Sequence, residues 1–291
     1  MSMFDKLALG TVQFGTPYGV NNHRGVIPPE EVHQILTVAH RSGVTLLDTA
    51  PTYGEAELLI SSFADRFKII TKVAIISSGD NQIQNWLVKQ VHTSRMRLAV
   101  SRIYGVLLHR PMQLLENEGH IIYAALHSLK VDGLVEKIGI SIYEPSELDK
   151  LCSRYDFDIV QAPLNIFDRR LQHSGWLDRL NNMGIELHVR SVFLQGLLLA
   201  EPEHRHPKFA PWKELFNRYD QWIVTLNMSR LEANVRYVLS LPMISKVIVG
   251  IDGLDHLESI IKAGPGPVPQ LPDDLYTDDI NLLNPLSWLN F

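Results

Sequence analysis

LALGTVQFGTPYG, residues 7–19, begins as a short apolar run and then breaks into widely spaced glycines. A first strand that opens a doubly wound dinucleotide-binding sheet is followed by a tight G-x-G-x-x-G turn. Here the glycines stand at 10, 15 and 19, too far apart for that turn. The choice of fold therefore falls to the rest of the chain. Apolar runs recur at 46–48, 68–72, 104–109, 137–141, 159–162, 186–191 and 246–249. Helix-patterned segments lie between them, among them 30–41, 84–97, 121–129, 147–154 and 230–241. Gly or Pro precedes several of the runs, as in Arg41-Ser42-Gly43, Asn182-Met183-Gly184 and Leu241-Pro242. Eight strand–helix alternations without a linker argue for one parallel β/α domain. The count and the length of 291 residues together favour a single-domain α/β fold, the (β/α)8 TIM barrel, over an open sheet.

Two segments depart from the alternation. Residues 194–216, LQGLLLAEPEHRHPKFAPWKELF, are polar and carry three prolines, and are expected as a loop after the seventh strand. Residues 264–291 form a Pro-rich tail, expected to pack on the barrel through Trp288 and Phe291.

Composition narrows the function classes. A net charge of −5 and a pI near 6.2 give no basic excess for nucleic acid or anionic lipid. The lone cysteine, Cys152, can form no internal disulfide, which fits a reducing compartment. No secretory signal pattern opens the chain, and no apolar run approaches the ~18 residues of a membrane span. The expectation is a soluble cytoplasmic protein with a small-molecule partner. His204 and His206 sit two apart on a polar loop without a third ligand, so no metal site is expected.

In a barrel of this kind the active site lies where the strands end. LLDTAPTYGEAE, residues 46–57, ends a buried run on Asp48 and presents Tyr53 just beyond; KIITK ends on Lys72, and YGVLLHR brings His109 to the end of the next run. Singly, each has an ordinary explanation: a cap, a packed turn, a solvated charge, a strand stop. Together, on three consecutive strands, a carboxylate, a phenol, an amine and an imidazole converge as a proton-transfer site. A phenol exchanges protons poorly at neutral pH. An ammonium beside it, held by a carboxylate, eases the loss of its proton, while an imidazole hydrogen-bonds a substrate carbonyl. A carbonyl that gains a proton on oxygen also needs a hydride on carbon, which side chains do not supply, so a nicotinamide cofactor is implied.

These residues resemble the aldo-keto reductase superfamily. The likeness rests on LDTAPTYG, ITK and LLH, and continues in order through KIGIS, QAPLN, RSVFLQGLL and VGIDGLDHLE. It implies a (β/α)8 barrel and a catalytic tetrad of Asp48, Tyr53, Lys72 and His109. In it Tyr53 is the proton donor, Lys72 and Asp48 tune it, and His109 orients the carbonyl. It also implies that Ser141 and Gln161 hold the nicotinamide carboxamide. Arg190 and Ser191, the amides around Leu194–Gly196, Gly250 and the helix start near Gly253–Leu254 fall where the rest of the cofactor binds. The chain departs from the family pattern in having Ile142 where many members carry Asn, and Arg190-Ser191-Val192-Phe193 where a stacking tyrosine is common. It also carries Asp252, with no Arg or Lys before Lys262, where a 2′-phosphate is usually bound. A carboxylate there repels a phosphate and accepts from ribose hydroxyls, so the cofactor is NADP(H) or NAD(H).

GTVQFGTPYGVNNHRG and the NPLSW ending resemble a branch associated with sugar and polysaccharide metabolism. Phe14 and Tyr18 are the expected substrate-pocket residues, with Asn21, Trp86 and Trp288 as further candidates. The rival reading is a catalytically weak cofactor-binding regulatory barrel. A barrel hydrolase is disfavoured because it needs two facing carboxylates and only Asp48 stands on the rim.

Overall fold

Eight short strands whose residues are almost all buried run parallel around a closed barrel in chain order. They are β1 (Leu7–Gly10), β2 (Leu46–Asp48), β3 (Lys68–Val73), β4 (Ile103–Leu108), β5 (Val135–Ser141), β6 (Ile159–Pro163), β7 (Glu186–Arg190) and β8 (Lys246–Val249). The computed structural model describes residues 3–20, 22–74 and 83–290; the expectations for Asn21 and Phe291 lie outside them. The barrel closes where β8 returns to β1 through Leu7↔Val247, Ala8↔Ile248 and Leu9↔Val249. Closure leaves no sheet edge, and every strand is covered on both faces, which is why the runs read as continuously apolar.

Inside the barrel Ala8, Leu46, Ile70, Leu107, Ile159 and Ile248 form their own cluster. The larger core lies between strands and outer helices. The helix Pro29–Arg41 shows how a segment joins that core. Pro29 starts it, Glu30 and Glu31 stand in the first turn and His40 and Arg41 in the last, and Val32, Ile35, Leu36 and Ala39 make the buried stripe. The helix Arg230–Ser240 is opened by a capping box of Ser229 and Glu232.

The strands stop short of expectation at two functional ends. β4 stops at Leu108, although the His109 amide still donates to Val73 O at 3.0 Å. β7 stops at Arg190 because Ser191 turns left-handed, with φ of 61°. Residues 194–216 are not loop throughout. Left-handed turns at Leu194, Gln195 and Gly196 lead to two 3-10 turns, Pro202–His204 and Pro207–Trp212. The α-helix Lys213–Thr225 has begun before the segment ends. His206 accepts from the Lys208 amide at 3.2 Å and so caps the second turn. In the C-terminal segment Trp288 is buried edge-on against Phe209, with centroids 5.0 Å apart, and Arg169 donates to the carbonyls of Pro272 and Asp273. Among the described residues no helix is long and apolar enough to cross a membrane.

The barrel interior leaves no room at Gly139, where a Cβ would come within 2.1 Å of Ile159 O. Gly139→Ala must push β5 from β6, and is expected to cost about 1–3 kcal/mol in chemical denaturation, with the denaturant slope unchanged.

Candidate active site

Parallel register builds the centre of the site. Asp48 is paired with Ile70, so Lys72, two residues further along β3, points to the same interior side. Lys72 Nζ lies 2.7 Å from Asp48 Oδ2 and also donates to Thr49 O at 3.2 Å. Both charges are sequestered: Lys72 is 2% exposed and Asp48 5%. Gln161 Nε2 donates to the other carboxylate oxygen at 2.8 Å, which leaves no lone oxygen on Asp48. The Lys72 ammonium stands 5.3 Å from the centre of the Tyr53 ring. Burial works to strip the lysine of its proton, but the Asp48 charge, with Tyr53 adding to it, outweighs burial and raises its pKa.

His109 shares the cavity but behaves differently. Burial and the neighbouring Lys72 cation lower its pKa to about 4, against the opposing pull of Asp48. Its imidazole is therefore neutral at physiological pH, able to donate one hydrogen bond and accept another.

One cavity of about 350 Å3 collects these groups at the strand ends. Asp48, Tyr53, Lys72 and His109 line it, as do Ser141, Gln161, Arg190, Ser191, Gly196, Gly250, Asp252 and Tyr18. Two expected residues do not line it. Phe14 ends the 3-10 turn Val12–Phe14, which swings its ring into the core, where it is 1% exposed. Leu194 is buried in the same core, and its amide is already bonded to Ser191 O at 2.9 Å. The Gly196 amide is likewise engaged, with Phe193 O, so neither amide is free for a pyrophosphate in this conformation. Trp86 packs on the helix layer and Trp288 in the tail, neither on the cavity.

Arg190 is held firmly. It donates to Ile142 O at 2.8 Å and to Ser191 Oγ at 3.2 Å, and its guanidinium lies 4.6 Å from the centre of the Tyr143 ring. Tyr143, Gln13, Gln195 and His256 are lining residues that strand-end reasoning missed. Tyr143 and Gln13 lie two and three residues past strand ends, and His256 sits one helical turn after Asp252, so loop offsets were the available signal. Gln195 bridges the cavity mouth by donating to Tyr18 Oη at 2.8 Å. Among the described residues no group of three or more His, Cys, Asp or Glu is arranged to hold a metal.

Comparison with known proteins matches this architecture. The model of the aldo/keto reductase family matches residues 6–273. The chain belongs to that family and is an oxidoreductase-class enzyme. D-arabinose 1-dehydrogenase of Saccharomyces cerevisiae is 25% identical, over 79% of this chain and 76% of that protein. NADH-specific methylglyoxal reductase of Escherichia coli is 26% identical, over 55% of this chain and 56% of its own. Among solved structures, the cofactor-bound aldo-keto reductase of Bacillus halodurans superposes with a TM-score of 0.74 at 18% identity, covering 94% of each chain. That last likeness bears on the fold alone.

The His109 shift has a stability consequence. Its folded pKa is lowered, so between about pH 6.5 and 4 the unfolded chain binds the extra proton and the fold loses stability as pH falls. The contribution is on the order of 3 kcal/mol. His109→Gln removes it, so the drop in Tm from pH 7 to pH 4.5 should be smaller in the variant than in the parent; an identical drop would refute the shift.

Proposed function

We propose that the enzyme interconverts a small aldehyde or ketone and its alcohol, using a nicotinamide cofactor, with Tyr53 as general acid in reduction. The observation that carries the reading is the buried Lys72–Asp48 pair set beside Tyr53, with a neutral His109 in the same cavity. The nicotinamide, when bound, supplies the hydride that the carbonyl carbon receives. Tyr53 gives its proton to the carbonyl oxygen. The Lys72 ammonium, held by Asp48, steadies the phenolate left behind. Neutral His109 donates its ring N–H to the same oxygen and fixes the carbonyl's direction.

The residues present fit the cofactor. Gln161 spends its amide N–H on Asp48, which keeps its Oε1 turned toward Ser141 and available to a carboxamide N–H. Gln13 Oε1 is buried without a partner, and a Cβ at Gly250 would come within 3.0 Å of the Gln13 amide, so this wall is shaped for close approach. Ser141 and Gln161 would hold the nicotinamide, and Arg190, Ser191, Gly250 and Asp252 the remainder.

NAD(H) is the favoured form. Glu31 accepts from the Leu254 amide at 2.9 Å and so occupies the N-terminus of the helix Leu254–Ala263. Asp255 in that first turn pairs with Arg24 at 2.7 Å, and Asp252 lines the adjoining cavity. A helix start already holding a carboxylate, between two others, offers a 2′-phosphate repulsion and ribose hydroxyls acceptors. The NADH-specific relative supports that choice, and the D-arabinose 1-dehydrogenase supports a polyhydroxylated substrate. The Tyr18–Gln195 bridge at the mouth offers hydroxyl partners for one.

Fluorescence titration should find NADH bound at least about tenfold more tightly than NADPH, and Glu31→Gln should narrow the gap. The reverse preference would overturn the Glu31 argument, and no binding of either would overturn the oxidoreductase mechanism. Tyr53→Phe should lower kcat/KM by about 10²–10⁴ while leaving cofactor affinity unchanged.

A further inference from the structure

Outside the barrel wall lies a second charge pair that the chemistry above does not use, its carboxylate buried and its guanidinium half-buried. Alternation along β3 sends Lys72 inward and its neighbour Thr71 outward. Thr71 Oγ1 donates to Glu57 Oε1 at 2.8 Å, and Glu57 is fully buried. The other Glu57 oxygen lies 3.2 Å from Arg97 Nε, near the end of the helix Ile83–Leu98. Arg97 Nη2 also donates to Gly54 O at 2.7 Å, the carbonyl immediately after Tyr53. Glu57 stands in the first turn of the helix Ala56–Ile60, which leaves the same loop.

The loop is confined from the opposite side as well. Gly54 takes a left-handed φ of 56°, and a Cβ there would come within 2.5 Å of Gly15 O. A Cβ on Gly15 would come within 1.9 Å of Tyr53 O. The peptide that carries Tyr53 is thus pressed against Gly15 and pulled toward Arg97. An apolar filler would pack this helix on β3 without the desolvation cost of a buried carboxylate. What the filler would lack is direction: one carboxylate addressed at once to the strand of Lys72 and to the guanidinium that holds the Tyr53 loop.

We infer that Glu57 and Arg97 are positioning residues for the proton transfer, fixing from outside the barrel how Tyr53 stands relative to Lys72. The inference rests on the reading of Tyr53 as proton donor. Misplacing a reacting group by about 1 Å costs on the order of 10²-fold in rate. Arg97 hydrogen-bonds Gly54 O and ion-pairs with Glu57 from one planar fork, and a lysine ammonium reproduces that only in part.

The test is steady-state reduction of 4-nitrobenzaldehyde by the full chain and by Arg97→Met, Arg97→Lys and Glu57→Gln, with cofactor affinity measured by fluorescence. Arg97→Met should lose about 10- to 100-fold in kcat, with the aldehyde KM and cofactor Kd within about threefold of the parent. Arg97→Lys should recover part of the loss, and the solvent deuterium isotope effect on kcat should rise as proton transfer becomes slower. Glu57→Gln, which keeps an acceptor for Thr71 but loses the ion pair, should fall between parent and Arg97→Met, and carries the test if Arg97→Met does not fold. Parental kcat in the variants overturns the inference, as does a kcat loss matched by an equal loss of cofactor affinity. An inactive parent chain sinks the proton-donor reading together with the positioning role; an active parent with indifferent variants sinks the positioning role alone.

Discussion

The ion pair between Lys72 and Asp48 is the constraint on which the rest of the site depends. Two charges placed almost wholly out of water cost several kcal/mol each in desolvation, and mutual attraction repays that only when every remaining polar valence is met. Here both carboxylate oxygens and two of the ammonium hydrogens are engaged: Asp48 receives Lys72 on one oxygen and Gln161 on the other, and Lys72 also reaches Thr49 O. The arrangement demands that β2 and β3 be adjacent, parallel and in one register, and that β6 reach across the interior with Gln161. A barrel closed in chain order satisfies all three conditions together. An open sheet with the same strands would leave Gln161 far from Asp48.

The pair also sets the protonation of its neighbours. A lysine kept charged by a carboxylate is a fixed positive centre, and that centre, after burial itself, drives the His109 proton off. Around the pair the cavity therefore presents an ammonium held by a carboxylate, with the Tyr53 phenol and a neutral His109 imidazole beside them. A charged imidazole beside Lys72 would compete for the same developing negative oxygen and crowd a second cation into a buried space. Kept neutral, it suits the proposed reaction as a hydrogen-bond donor that sets direction without adding charge.

Much of this was readable from sequence because of one property of the fold. When strands follow one another around a barrel, consecutive strand ends are spatial neighbours, so Asp48, Lys72 and His109 could be grouped from chain order alone. The method weakens several residues beyond the strands, where side-chain direction is set by turn geometry. Phe14 and Leu194 flank cavity residues in sequence, yet a 3-10 turn and a left-handed turn send both into the core. Arg190 was legible as a strand end, but not its fastening to Ile142 and Tyr143, which comes from the loop after β5, two strands away. Glu31 had no local signal at all: its partner amide lies 223 residues away, and in sequence it is an ordinary first-turn acid of its own helix.

The two faces of β3 show why such a site needs support beyond its lining. Lys72 faces inward to the chemistry, while Thr71, on the other face, meets a carboxylate that no substrate can reach. Tyr53 has no strand to hold it; it stands on a loop that begins at the end of β2, and loops alone place side chains less firmly than strands. The loop gains its rigidity from Gly15 on one side and Arg97 on the other, contacts supplied by the β1 loop and the helix after β3. Tyr53, the proposed proton donor, is thus held by elements that precede and follow the two strands carrying its partners. Aim within the cavity and order outside it are two consequences of one alternating strand.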